Sequence, residues 1–88
     1  MTSSLPRVFF DANDGTMEHG YWLIFEQSKA DLAALGGALR DGLLVQLYSP
    51  NEIEVQAILR FEWDSHRGGM WIGQPIEETL VLLDGSRT

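Results

Sequence analysis

The sequence predicts an α+β, mainly β domain: a strongly twisted antiparallel sheet of five to six strands carrying one short helix, in the order ββαββββ. Three observations predict it. In Glu52–Asp64, Ile53, Val55, Ala57, Leu59, Phe61 and Trp63 alternate with Glu52, Glu54, Gln56, Arg60, Glu62 and Asp64, the period of two of a strand with one face buried and one wet. Turn-forming groups, Asn13-Asp14-Gly15, Asp41-Gly42, Ser49-Pro50-Asn51 and Arg67-Gly68-Gly69, divide the rest into short apolar runs. Only around residues 28–37 does the pattern change to one that suits a helix.

In chain order, residues 1–6 are a loose lead-in and Arg7–Ala12 is a first strand. Asn13-Asp14-Gly15 turns the chain, because these residues tolerate positive φ. Gly20–Glu26 is a second strand, apolar on both parities and so covered on both faces. Ser28 opens the helix as its cap, with Asp31 three residues on in the place of a capping-box acid. Leu32, Ala33 and Leu35 give a narrow apolar stripe, and Gly36-Gly37 ends it. So short a helix is unstable alone, so the stripe must dock on the sheet. A meander follows: Leu43–Tyr48, the long strand, a short strand Met70–Gly73 broken by Gln74-Pro75, and Glu77–Leu83, before the polar tail 84–88. At roughly 3.4 Å per residue the long strand spans about 40 Å, so it is expected to bend. No domain linker divides the 88 residues, so they form one domain.

Register adds what the list of elements lacks. Leu43, Val45 and Leu47 share odd parity with the apolar face of the long strand. Opposed residues of an antiparallel pair share a face. A three-residue loop, Pro50-Asn51-Glu52, therefore sets Leu47 opposite Val55, Val45 opposite Ala57 and Leu44 opposite Ile58. Pairing Trp63 with Trp71 in the next hairpin brings Ile76 beside Ile58. Leu44, Ile58 and Ile76 then form an apolar row on the outer, otherwise polar face, covered by the first hairpin or the helix, or else offered to a partner.

Thirteen acids against six bases give a net charge of −7. That balance repels phosphate backbones and argues against nucleic acid as a partner. No cysteine is present, which removes disulfides, thiolate metal sites and a cysteine nucleophile. The longest apolar runs, Tyr21–Phe25 and Leu80–Leu83, are too short to cross a bilayer. With no signal-like segment, the expectation is a cytoplasmic protein with no membrane contact and no cofactor.

Candidate chemistry is sparse. Asp11, Asn13, Asp14, Glu18 and His19 crowd one loop, as oxygen ligands of a cation do, but Gly15 stands where an EF-hand loop needs its third ligand. His19 and His66 sit in polar loops beside Glu18 and Asp64, without a serine or cysteine in a nucleophile motif. Glu77 and Glu78 alternate faces and make no carboxylate pair. The aromatics are the least ordinary feature. Trp63 and Trp71 flank the 64–69 loop with Arg67 beside them, an arrangement suited to binding a peptide or ligand.

In strand spacing and aromatic content, Gly42–Leu83 resembles the short-stranded meander of SH3-like, partly open barrels. It lacks the acidic binding loop and paired tyrosines of signalling SH3 domains, so proline-peptide recognition is not implied. Three functions follow from the residues. The first is a non-catalytic interaction module, for a protein partner or self-association, with Leu44, Ile58, Ile76, Trp63, Trp71 and Arg67 as its candidate surface. The second is an inhibitor or immunity-type protein, meeting a basic partner through Asp11, Asp14, Glu18, Glu52, Glu54 and Glu62. The third is a small enzyme or ligand binder built on the 11–19 loop and His66.

Overall fold

The structure, a computed structural model, describes residues 5–13, 15–50, 52–66 and 68–82. Its strands are β1 (Arg7–Phe9), β2 (Gly15–Thr16), β3 (Gly20–Trp22), β4 (Leu44–Ser49), β5 (Ile53–Asp64), β6 (Gly68–Pro75) and β7 (Val81–Leu82), with one α-helix, α1 (Glu26–Ala34). Single 3₁₀ turns occupy Gly36–Ala38 and Glu77–Thr79. The fold is α+β and mainly β, as the sequence predicts. Among the described residues the sheet has seven strands in the order β1-β4-β5-β6-β3-β2, with β7 beside β5, and it does not close.

The long strand β5 is the hub. It pairs antiparallel with β4 along one edge and with β6 and then β7 along the other. The β4–β5 register is the expected one: Leu47 with Val55, Val45 with Ala57, Leu44 with Ile58, across a three-residue loop from Ser49 to Ile53. Val45, Leu47, Val55, Ala57 and Leu59 are wholly buried because their parity turns them all to one face. Val8, Phe10, Tyr21, Leu23 and Leu32 complete that core.

Four expectations are corrected. Arg7–Ala12 and Gly20–Glu26 do not pair as a hairpin. β1 instead runs parallel to β4, Val8 beside Leu47, which carries the buried Val8 onto the same face as Leu47. β3 pairs with β6 and with the two-residue β2. The helix begins at Glu26, two residues before Ser28, and no side chain caps it. Ser28 and Asp31 reach across to β1: Ser28 Oγ donates to the Phe9 carbonyl at 2.6 Å, and the Phe9 N–H donates to Asp31 Oδ2 at 2.9 Å. The side chains of α1 thereby satisfy an exposed sheet edge.

Gln74-Pro75 does not break β6. Pro75 pairs with Ala57, and the alternation of the ladder turns its nitrogen away from β5, where no donor is needed. Glu77–Leu83 is not one strand, because Glu77–Thr79 forms a 3₁₀ turn before the short β7. Gly36 takes φ +55 just after the helix. This left-handed step suits glycine at a helix end, as the sequence anticipates for Gly36-Gly37.

Candidate functional site

Past Leu59 the β5–β6 hairpin outruns its neighbours. β4 stops at Leu44, opposite Ile58, and the adjoining turn reaches only as far as the Phe61 N–H, which donates to Asp41 Oδ1 at 2.7 Å. The parity that buries Leu59 continues to Phe61 and Trp63, but no core remains there to receive them. Phe61 is 50% exposed and Trp63 77% exposed. Trp71 is half-buried and packs against the core cluster.

The register beneath these rings differs from the expected one. Phe61, not Trp63, stands opposite Trp71, and Trp63 faces Gly69. The two aromatics meet edge to face, centroids 5.1 Å apart, the geometry that ring quadrupoles favour. Glycine at 69 lets the Phe61 ring lie across β6, because a Cβ there would come within 2.2 Å of a ring carbon. Phe61, missed in the sequence reading because its parity marked it as core, is therefore the middle of the surface. The strand's unusual length was the signal that its far end leaves the core. Arg67, expected beside the rings, lies outside the described residues.

The outer-face row is only partly assembled. Leu44 and Ile58 are paired and half-buried, but Gln74 stands opposite Ile58. The Ile76 N–H donates to the Gln56 carbonyl at 2.8 Å, which places Ile76 two residues along from Ile58. The helix does not lie over this pair, since Leu32 anchors it in the core on the opposite face, and Arg7–Ala12 and Gly20–Glu26 do not form the hairpin expected to cover it. Arg60, on the same outer face, ion-pairs with Glu62, and its Nε is buried without a partner.

The titratable candidates do not converge. Asp11 Oδ1 accepts from the Asn13 N–H at 2.9 Å, and the His19 N–H donates to Thr16 Oγ1 at 2.9 Å, both local turn bonds. Asp64 Oδ1 accepts from the His66 backbone N–H at 2.6 Å. Asp14 lies outside the described residues. Among the described residues no three His, Asp or Glu side chains group as metal ligands. Of the acids proposed for a basic partner, Glu54 pairs with Arg7 at 2.8 Å and Glu62 with Arg60, while Asp11 and Glu52 line one polar cleft with Asn13 and Ser49.

Asp31 sits at the best-connected polar point. Besides the Phe9 N–H it accepts from Gln27 at 2.8 Å and from the Tyr48 hydroxyl at 3.1 Å. Desolvation by burial, and then the Asp31 carboxylate, raise the Tyr48 phenol above its ordinary value, while Arg7 over its ring at 4.5 Å opposes them. These bonds tie a helix to a strand, so the cluster is structural.

No helix among the described residues is long and apolar enough to cross a membrane. The chain matches no protein-family model, and comparisons with curated proteins and with solved structures give no match either.

Proposed function

We propose that the protein is a non-catalytic protein-interaction module whose contact surface is the aromatic end of the β5–β6 hairpin. The observation that carries this reading is Trp63, left 77% in water beside a half-exposed Phe61. Trp63 costs free energy to leave wet, and nothing in the fold requires a ring at that position. Tryptophan is also the residue type most enriched where interfaces concentrate their binding energy. Leu44 and Ile58 are a weaker candidate, because both are already half-buried. The SH3-like likeness of Gly42–Leu83 remains one of strand spacing and adds no ligand to the reading.

Photo-crosslinking tests it. A benzophenone amino acid replaces Trp63 in one version of the protein and Ala30, on the exposed side of the helix, in another. A discrete adduct from position 63 alone is expected in the native cell. Adducts that do not depend on position would contradict the reading.

A further inference from the structure

Beside the rings lies a cleft of about 190 Å³, walled by Leu23, Ile24, Leu32, Met70 and Trp71, with Gly69 on its floor strand and Lys29 as the one charged residue among the described ones that line it. Three properties of this cleft restrict what fits it. Its volume is close to that of a cavity that admits a single benzene-sized group, roughly 150 Å³, so it suits one bulky apolar side chain. Lys29 is exposed and has no salt bridge among the described residues, a free cation in a chain of net charge −7. The sheet also ends here. The Leu23 N–H donates to the Trp71 carbonyl at 3.0 Å, but β3 stops at Trp22, so the Gly69 peptide groups on that side face no strand among the described residues.

Area separates a short segment from a second copy of the chain. At roughly 150–250 Å² per aromatic side chain, Trp63 and Phe61 together leave about 250 Å² in water. A stable dimer buries about 800 Å² on each partner, roughly three times what these two rings present, whereas the cleft and the open Gly69 edge are of the size of a short extended segment.

We infer that the cleft receives one bulky apolar side chain of an extended peptide segment whose neighbouring residue is acidic, with the carboxylate set at Lys29 and the segment's backbone alongside Gly69. The inference rests on the interaction reading and names the partner's chemistry: apolar next to acidic, recognised against a repulsive acidic background that Lys29, among the described residues lining the cleft, relieves locally. Acidic peptides without the apolar anchor are excluded by charge, and apolar ones without the acid forgo the ion pair.

A titration of the ¹⁵N-labelled full chain with the capped hexapeptide Ser-Gly-Phe-Glu-Gly-Ser, followed by NMR, tests this. Saturable shifts are expected at the amides of Leu23, Leu32, Gly69 and Trp71. An exposed ion pair is worth up to about fivefold in affinity, so exchanging the peptide's Glu for Lys weakens binding by about that factor. Lys29→Glu reverses the preference, and because Lys29 is exposed the rest of the spectrum stays in place. Exchanging the peptide's Phe for Ala abolishes saturation. Equal binding of the Glu and Lys peptides, shifts centred on Leu44 and Ile58, or no saturation up to about 5 mM, a free energy of only ~3 kcal/mol, would overturn the inference. A silent cleft together with a crosslink from position 63 would sink this inference alone. A silent cleft with no such crosslink would sink the interaction reading too.

Discussion

Replacing Ser28 by Ala is expected to loosen β1 from the helix, and the size of the effect can be worked from the bonds. Ser28 is wholly buried, and its hydroxyl and the Asp31 carboxylate hold the carbonyl and N–H of the same residue, Phe9, on the side of β1 that no strand among the described residues covers. Losing a neutral hydrogen bond and stranding its buried partner costs about 1–3 kcal/mol, so Ser28→Ala should destabilise by about 2 kcal/mol. Asp31→Ala removes an ionised acceptor from the Phe9 N–H and from the Tyr48 hydroxyl. Its cost is about 2 kcal/mol, at the lower part of the charged range because the site is only part-buried. Both changes release the same residue, Phe9, from the helix, so the double variant should fall short of the sum by about 0.5–1 kcal/mol. For 88 residues the total stability is of order 4–13 kcal/mol, so each loss is readable in urea unfolding followed by tryptophan fluorescence. Single variants both within about 0.5 kcal/mol of the parent would refute the idea that α1 holds the sheet edge.

Further outcomes follow from the same geometry. Leu47→Ala empties a fully buried site and should cost about 2–5 kcal/mol, whereas Gly73→Ala pushes a methyl to 2.8 Å from a Leu47 methyl and should cost about 1–3 kcal/mol; thermal unfolding reads both. Gly69→Ala should displace the Phe61 ring it would strike, removing the Phe61–Trp71 signal from near-ultraviolet circular dichroism with a loss under about 1 kcal/mol, since an exposed ring can swing aside. Burial and the Asp31 carboxylate raise the Tyr48 phenol above its ordinary value in the folded protein, so its contribution to stability is complete below the unfolded phenol's pKa and is lost as pH rises through the folded one. Asp31→Ala should move that titration down, measured as phenolate absorbance.

How much was legible in the residues differs from element to element. The β4–β5 register followed from parity and the turn together: sharing the core between Leu43, Val45 and Leu47 and Val55, Ala57 and Leu59 demands an odd loop, and the turn residues at Pro50-Asn51 put a three-residue one there. The parallel β1–β4 pairing could not be read, since an apolar run such as Arg7–Ala12 carries no mark of its neighbour or its direction. Ser28 and Asp31 have the chemistry of a capping box, but the same hydroxyl and carboxylate serve equally well to satisfy a strand edge, and only tertiary placement decides. In the last hairpin the loop is shorter than Trp63–Trp71 pairing requires, and this two-residue shift put Phe61 against Trp71 and separated Ile76 from Ile58. The candidate site was visible in part: Trp63 and Trp71 were named from their place beside the loop, and Phe61 was hidden by its core-like parity.

The central claim, that Trp63 marks a surface meant to be covered, is tested most directly inside the cell. With 5-fluorotryptophan in place of Trp22, Trp63 and Trp71, each ring gives its own ¹⁹F resonance. In buffer, the Trp63 line should be the one most sensitive to exchanging water for heavy water, as its exposure requires. In the cell, that line should shift or broaden while the line of Trp22, on the opposite face of the sheet, keeps its position. Three lines unchanged between buffer and cell would mean that nothing covers Trp63, and the account would fail.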